Sequence, residues 1–349
     1  MSYAWTYNKA MPTINYSSHP HTLHITVDPR IELLAVVQYL AGYGQRFPLL
    51  TAFDIEYKKE VETAFQTFRA HPAVKLFDQM SVDGFNCDAP PWVMLHLSPP
   101  PELEVQTPFI PYLIRRASNK LEKLIPALRN FAMVSDFMAF YRTHSTFYET
   151  ITRPIIAQYS GHHDISVFEN YYGMGHNSYT MIFAPLFSDG GYGPQVRRED
   201  GLFDVFSITG PTGIDVNNQP IFSMPTGVRS LIWHEFAHPL INPLTERYIH
   251  KVNEYQALFQ MVKERMTSYG YVSWEAVVNE TIVRAVVVRM KALELGEAEG
   301  QSSLAQELEW GFAYTDLLVK QLKQYEQQRD RYPTFRDFYS KLIEAFAEV

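Results

Sequence analysis

Two histidines and a glutamate in the stretch 228–243, VRSLIWHEFAHPLINP, have the residue types and the spacing that hold a metal ion. His234 and His238 are four residues apart, so on a helix both imidazoles lie on one face and can reach the same ion. Glu235 follows the first histidine, and its carboxylate can take a proton from a water molecule that the metal activates. The neighbouring residues are apolar, which predicts a buried helix. Burying His and Glu side chains without partners in such a helix would destabilise the fold, so we expect that a metal ion binds them.

A catalytic zinc site needs a third protein ligand, and the best candidate lies on a later helix. Ile241 and Leu244 stand where the pattern H-E-x-x-H-x-x-G-x-x-H requires glycine and histidine, which excludes that class. Residues 271–294 predict a long apolar helix with Ser273 as its N-cap. Glu280 lies in the middle of this helix, where a carboxylate is rarely buried alone, and we predict it as the third ligand. Other carboxylates compete for this role: Glu246, Glu254, Glu264 and Glu275.

The order of these residues resembles that of the gluzincin metallopeptidases, in which the two histidines are followed by a glutamate on a later helix. The longer run HEFAHPLINP, preceded by GGYGP, is similar to a bacterial zincin-like family of unknown function. This second resemblance extends over most of the chain, from DPRIELLAVVQYL near the start to YEQQRDRYPTF near the end. It implies one zinc ion per chain held by His234, His238 and Glu280, with Glu235 as the general base, and it implies no known substrate.

Pro239 departs from the gluzincin pattern. A proline at this position removes the backbone hydrogen bond to the carbonyl of Glu235 and can kink the helix. Most gluzincins continue the helix past this point. The geometry of the predicted ligands therefore depends on a helix that ends almost at His238.

Further residues can be assigned around the predicted centre. Arg284 lies one turn after Glu280 and can pair with it, and we expect Arg284 and Asn279 to support the ligands. The oxyanion that forms when water attacks a carbonyl needs a donor besides the metal. Tyr314, on a helix predicted over 303–331, is the candidate donor, and a plain core tyrosine is the competing interpretation.

A β-branched and aromatic stretch, 178–187, is the candidate substrate-binding strand. Peptidases of the resembled architecture bind substrate as an added strand against an exposed sheet edge. Pro185 cannot donate a ladder bond, which is tolerated mainly on edge strands. We therefore predict an edge strand, with a core strand as the alternative. The predicted substrate contacts are Tyr179, Met181 and Phe183. The glycines at 190, 191 and 193 either let a substrate backbone approach closely or form a plain turn.

Composition limits the class of protein. The chain has 349 residues, of which 46% are hydrophobic and 19% charged, and a disordered chain would be poorer in apolar residues and richer in charge. Cys87 is the single cysteine, so a disulfide framework and a thiolate metal site are both excluded. The net charge of −8 and the absence of long basic runs argue against a nucleic-acid partner. The sequence contains no run of 18 apolar residues, so we predict no insertion into a membrane.

The start of the chain lacks the basic and apolar regions of a secretory signal. We expect a soluble protein, either cytoplasmic or secreted or periplasmic after removal of a signal peptide. The sequence leaves its oligomeric state open.

The remaining patterns predict an α+β fold of zincin-like type, with a small mixed sheet over the active-site helix and a mostly helical C-terminal part. We divide the chain into a mixed, helical N-terminal region, 1–150, whose role is open, and a zincin-like catalytic domain, 151–349. The predicted elements are a strand at 22–27, a helix from Asp28-Pro29, a helix at 57–70, a proline-rich loop with short extended pieces at 85–111, helices over 117–158, a strand at 202–209 and helices from 226 onward.

The functional hypothesis is a zinc-dependent peptidase that cleaves peptide or protein substrates. Three alternatives stay open. The chain could bind zinc without catalysis, or act on an amide other than a peptide. It could also hold a structural zinc that a fourth ligand such as His176 or Glu246 closes.

Overall fold

The structure, a computed structural model, describes residues 22–159, 163–189, 191–222 and 227–349, and it has an α+β fold. Its strands are β1 Leu23–Thr26, β2 Ser178–Phe183, β3 Gly191–Tyr192, β4 Gln195–Arg197, β5 Phe203–Thr209, β6 Gly213–Ile214 and β7 Pro220–Ile221. The helices before β2 are α1 Pro29–Leu40, α2 Tyr43–Arg46, α3 Glu56–Phe65, α4 Pro72–Val82, α5 Ala89–Leu95, α6 Pro111–Arg116, α7 Leu121–Val134, α8 Phe137–Thr143, α9 Ser145–Tyr159 and α10 Asp164–Tyr172. Those after β7 are α11 Gly227–Glu235, α12 His238–Arg247, α13 Ile249–Asn253, α14 Phe259–Ser268, α15 Trp274–Leu295, α16 Glu297–Glu309, α17 Thr315–Gln327 and α18 Phe335–Glu344.

The main sheet is mixed and has the order β1-β2-β5-β3, with β4 also paired to β5. β1 and β5 both run parallel to β2, whereas β3 and β4 run antiparallel to β5. In this register Tyr179 lies between Leu23 and Val205. β2 therefore has a strand on each side, and the prediction of an edge strand over 178–187 is wrong. Pro185 does not mark an edge strand, because it lies two residues after Phe183, the last residue of β2, and leaves the ladder intact.

The predicted substrate contacts on β2 are core residues. Tyr179 and Phe183 are each 1% exposed and Met181 is fully buried. Phe183 stacks on Phe222 at a centroid distance of 4.4 Å. Side chains that are packed in this way cannot bind a substrate from solvent, so this assignment is corrected.

The first elements form where the sequence predicts them, because their signals are local. Asp28 is the N-cap of α1 and accepts a hydrogen bond from the backbone N–H of Arg30, and Pro29 occupies the first turn. The proline-rich region differs from its prediction, since it contains the helix α5. Pro90 and Pro91 lie in the first turn of α5, where a missing N–H breaks no helical hydrogen bond.

The predicted single helix over 303–331 is in fact two helices. α16 ends at Glu309, and α17 starts at Thr315. Gly311 lies between them with φ of +96°, a left-handed conformation that glycine adopts without strain. Its missing Cβ also leaves room for Arg265, whose Cγ would lie 2.8 Å from a β-carbon there.

The sheet and the core both cross the predicted division near residue 150. β1 comes from the N-terminal region and pairs with β2. Trp92 donates its indole N–H to the carbonyl of Gln195 at 2.6 Å, and buried side chains of both regions form one cluster. Among the described residues, no helix is long and apolar enough to cross a membrane.

Candidate metal centre

Three side chains from three helices meet at one point. His234 ends α11, His238 begins α12, and Glu280 lies in the first half of α15. One ligand atom from each residue lies within 4.8 Å of the other two. The two Nε2 atoms are 3.3 Å apart, and Glu280 Oε1 and Oε2 lie 3.5 Å and 3.6 Å from the nitrogens of His234 and His238. Tetrahedral zinc with bonds of about 2.0–2.2 Å places neighbouring ligand atoms roughly 3.3–3.6 Å apart, so the donor set fits the ion.

The protonation states of these residues suit a cation. Burial lowers the pKa of His234 to about 3, despite the attraction of Glu280, so the imidazole is neutral and keeps a lone pair. Burial alone would raise the pKa of Glu280, but His234 and Arg284 outweigh it and hold that pKa below its ordinary value. A neutral imidazole and an ionised carboxylate are the forms that bind metals. The two histidine side chains are 21% and 20% exposed, whereas Glu280 is 4% exposed, so the site opens on the histidine side.

Pro239 breaks the helix that carries the motif without separating the histidines. α11 ends at Glu235, two turn residues follow, and α12 starts at His238 with Pro239 in its first turn. Ala237 keeps a helical conformation, with φ of −74° and ψ of −35°, and its N–H bonds the carbonyl of His234 at 3.1 Å. The chain therefore keeps nearly helical geometry through the break, and the i, i+4 spacing still brings the two imidazoles together.

Glu235 is held against a glycine loop. A β-carbon on Gly191 would lie 2.5 Å from Glu235 Oε1, and one on Gly193 would lie 3.0 Å from Oε2 and 3.1 Å from the backbone carbonyl. Pro239 cannot bond that carbonyl, and Gly193 packs on it. These glycines thus make room for Glu235; Gly190 lies outside the described residues. Burial raises the pKa of Glu235 to about 7, with His238 opposing the shift, so its carboxyl can exchange a proton near neutral pH.

Arg284 and the residues around it support the Glu280 carboxylate. Arg284 Nε donates to Glu280 Oε1 at 2.6 Å, and its Nη1 donates to Glu307 Oε2 at 2.7 Å. The guanidinium lies 4.0 Å from the centroid of Phe312. Tyr271 lies close enough to Glu280 to help lower the pKa of that carboxyl. The i, i+4 spacing predicts the pairing of Arg284 with Glu280, but the sequence analysis missed Tyr271 and Glu307 because nothing local links them to the site.

A second set of polar contacts joins α12 to α15 and α18. The hydroxyl of Thr245 donates to Asn279 Oδ1 and lies 2.5 Å from the hydroxyl of Tyr339. Asn279, predicted to support the ligands, therefore acts by fixing α12 against α15. Asn242 Oδ1 lies 3.4 Å from His238 Nδ1, on the opposite side of the ring from Nε2. Such a contact restrains the orientation of an imidazole.

The helix α11 is anchored by its buried tryptophan. Trp233 is fully buried and donates to the carbonyl of Asp164 at 3.3 Å, and Arg229 pairs with the Asp164 carboxylate at 2.6 Å. Phe236 packs edge-on against Tyr179 of β2 at 5.2 Å. Tyr179 thus supports the segment that carries the motif from inside the core.

The predicted oxyanion donor does not face this site. The hydroxyl of Tyr314 donates to the carbonyl of Leu258 at 2.8 Å, and its ring packs against Trp274 and Phe346. The residue is 5% exposed and precedes the first turn of α17. Tyr314 is the core tyrosine of the competing interpretation, and its assignment as a catalytic donor is corrected.

The predicted fourth ligands are not part of the cluster. Among the residues that the structure describes, the potential metal-binding group contains only His234, His238 and Glu280. His176 is 3% exposed and packs its ring against Tyr179 at 5.5 Å. Glu246 is exposed on α12. Three protein donors leave a fourth position for a small ligand, as in catalytic zinc sites.

The fold and the site together define an α+β protein with a three-residue candidate metal centre between its helices. The chain belongs to the family described as "Domain of unknown function (DUF4932)", whose profile matches residues 23–345. No curated protein matches the chain. No solved structure matches it either.

Proposed function

We propose that this protein is a zinc-dependent hydrolase that cleaves peptide bonds. The observation that carries the proposal is the convergence of His234, His238 and Glu280, with the carboxyl of Glu235 next in sequence to the first ligand. The resemblance of this residue order to gluzincin metallopeptidases supports the same activity. A zinc ion held by these three residues would supply a Lewis acid for water and for a carbonyl oxygen.

Glu235 is the proton carrier in this proposal. Its pKa of about 7 lets it accept a proton from the attacking water and return it to the leaving amine near neutral pH. Gly191 and Gly193 leave space for its carboxylate. Arg284 holds Glu280 in place through a hydrogen bond.

The direct test combines metal content with cleavage. Purified protein without a tag is expected to contain about one zinc per chain, and His234→Ala is expected to lose it. Glu235→Gln is expected to keep the zinc and lose cleavage of a peptide library, read by mass spectrometry. Cleavage retained in Glu235→Gln would refute the mechanism, and a metal-free wild-type protein that cannot be loaded would refute the site.

A zinc-binding protein without catalysis is the second candidate. The observation that favours it is the position of Tyr314, which bonds Leu258 and leaves the site without the predicted oxyanion donor. This candidate requires bound zinc in the wild type and no turnover of peptides or other amides. The same two measurements therefore distinguish it from the hydrolase.

A further inference from the structure

A polar cleft, separate from the metal centre, lies at the C-terminal end of α12. Its volume is about 500 Å³, and its walls come from Arg247 and Tyr248, Arg331 and Tyr332, and the first turn of α18 with Arg336 and Asp337. Arg247 is nine residues after His238, a separation of about 13.5 Å along a helix. The two halves of the cleft are more than 80 residues apart in the chain, so only the tertiary structure assembles it.

The charge of the cleft is strongly positive. It contains three guanidinium groups and one carboxylate. The Asp337 carboxylate is occupied by the helix cap, because its Oδ2 accepts from the backbone N–H of Thr334 at 3.1 Å and from the Thr334 hydroxyl at 2.7 Å. Within the described ranges, no carboxylate lies within ion-pair distance of any of the three arginines.

One donor in the cleft is buried and unsatisfied. The Nε of Arg336 is inaccessible to water and has no hydrogen-bond partner among the described residues. Because water cannot reach this atom, an anion in the cleft would contact Arg336 through its Nη atoms. The two Nη atoms of a guanidinium can donate parallel hydrogen bonds to the oxygens of a phosphate or carboxylate group.

The aromatic residues hold the other two arginines. The guanidinium of Arg247 lies 5.8 Å from the ring centroid of Tyr248, and that of Arg331 lies 5.1 Å from that of Tyr332. A cation–π contact restrains a guanidinium and lowers the entropy lost when an anion binds. The tyrosine hydroxyls add neutral donors to the cleft.

We propose that this arginine cleft binds the phosphate group of a small phosphorylated molecule. Three guanidinium groups match a group with two or more negative charges better than a single carboxylate. The cleft is open to solvent, and its volume exceeds that of free phosphate, so an organic body such as a sugar or a nucleoside can extend from the bound phosphate. The inference does not depend on the proposed hydrolase activity.

The test is calorimetric titration of the full-length protein with pyrophosphate and with ADP. Both are expected to bind, and Arg336→Gln and Arg247→Gln are each expected to weaken binding at least tenfold. Arg247 is exposed on a helix end, so its variant tests the site even if Arg336→Gln fails to fold. Arg153→Gln is the matched control, because it removes one positive charge from an exposed pair with Glu149 elsewhere. ADP bound more tightly than pyrophosphate would identify a nucleoside body, and the reverse order would favour a smaller one.

Several results would overturn the proposal. Binding could be absent, it could weaken equally in Arg153→Gln, or citrate could bind as tightly as pyrophosphate, which would indicate general attraction of anions. Pyrophosphate also coordinates zinc, so the titration is repeated in His234→Ala. The affinity is expected to be unchanged there, and loss of binding would assign the anion to the metal centre instead.

Discussion

Replacement of Arg284 by methionine tests how charge is balanced at the metal centre. Arg284 bridges Glu280 and Glu307 through hydrogen bonds of 2.6 Å and 2.7 Å. The side chains are 17%, 4% and 10% exposed, so water screens these charges little. Methionine keeps much of the volume and removes the charge. Arg284→Met therefore leaves two acidic groups close together with no cation between them.

The expected loss of stability in the metal-free protein is about 3–5 kcal/mol, the usual cost of removing one partner from a buried pair. Two unit charges about 4 Å apart attract by about 4 kcal/mol at an effective dielectric constant of 20, which is the same magnitude. A loss of this size is a large fraction of the roughly 5–15 kcal/mol that stabilises a folded protein. Bound zinc would restore a positive charge next to Glu280, so the loss is expected to shrink when zinc is present.

The assay is urea unfolding of the wild type and Arg284→Met, each after chelator treatment and after loading with zinc. Arg289→Met is the matched control. Arg289 lies on the same helix, is similarly buried, and bonds Glu326 through two nitrogens at 2.8 Å and 2.6 Å, with no contact to the metal centre. Its loss of stability should be the same in both metal states.

The reasoning is refuted if Arg284→Met costs less than about 1 kcal/mol in the metal-free protein, because the pair would then be of the weak surface kind. It is also refuted if zinc reduces the loss in Arg289→Met as much as in Arg284→Met. In that case the recovery would reflect general stabilisation by the ligand and not replacement of a local charge.

Three more variants test other contacts. Gly191→Ala would place a β-carbon 2.5 Å from Glu235 Oε1, so it is expected to lower peptide cleavage at least tenfold and leave the zinc content unchanged. Tyr271→Phe removes a hydroxyl that helps to lower the pKa of the Glu280 carboxyl, and zinc affinity measured by chelator competition should fall roughly tenfold. Glu32→Gln tests a fully buried carboxyl in α1, whose pKa burial raises from 4.5 to about 8. The wild type keeps this proton when folded and loses it when unfolded, so its stability should fall by up to about 1.4 kcal/mol per pH unit from pH 5 to pH 8, a slope that Glu32→Gln lacks.

Each of these variants has a control or a contrary outcome. Gly213→Ala introduces the same methyl group into open space and should leave cleavage unchanged. Equal zinc affinity in Tyr271→Phe and the wild type would show that this hydroxyl does not support Glu280. Parallel stability curves of Glu32→Gln and the wild type between pH 5 and pH 8 would show that Glu32 is ionised in the folded protein.

Local sequence patterns were enough to predict several elements. Ser273 is the N-cap of α15 and accepts from the N–H of Ala276 at 3.2 Å, and α1 starts directly after Asp28. Caps and proline positions depend on residues within one turn, so the sequence contains all the information that they need. The predicted strand at 202–209 also matches β5, Phe203–Thr209.

The order of strands could not be predicted in this way. A period of apolar residues does not say which strands flank β2, because the pairing with β1 joins residues about 155 positions apart and depends on the whole fold. A single residue such as Pro185 likewise does not show which strands pair with β2. The break between α16 and α17 at Gly311 could not be predicted, because the apolar pattern of the sequence continues past this residue.

The sequence by itself determined which residues could bind a metal, since the spacing of His234 and His238 and an acidic residue in an apolar helix are local facts. Only the tertiary structure decided that Glu280 meets those histidines, that Gly191 packs against Glu235, and that the predicted donor Tyr314 faces the core. The arginine cleft also depends on the tertiary structure, because its two walls come from segments more than 80 residues apart in the sequence. The spacing of residues along a helix fixes the directions in which their side chains point. Contact between two elements depends instead on how their buried faces pack.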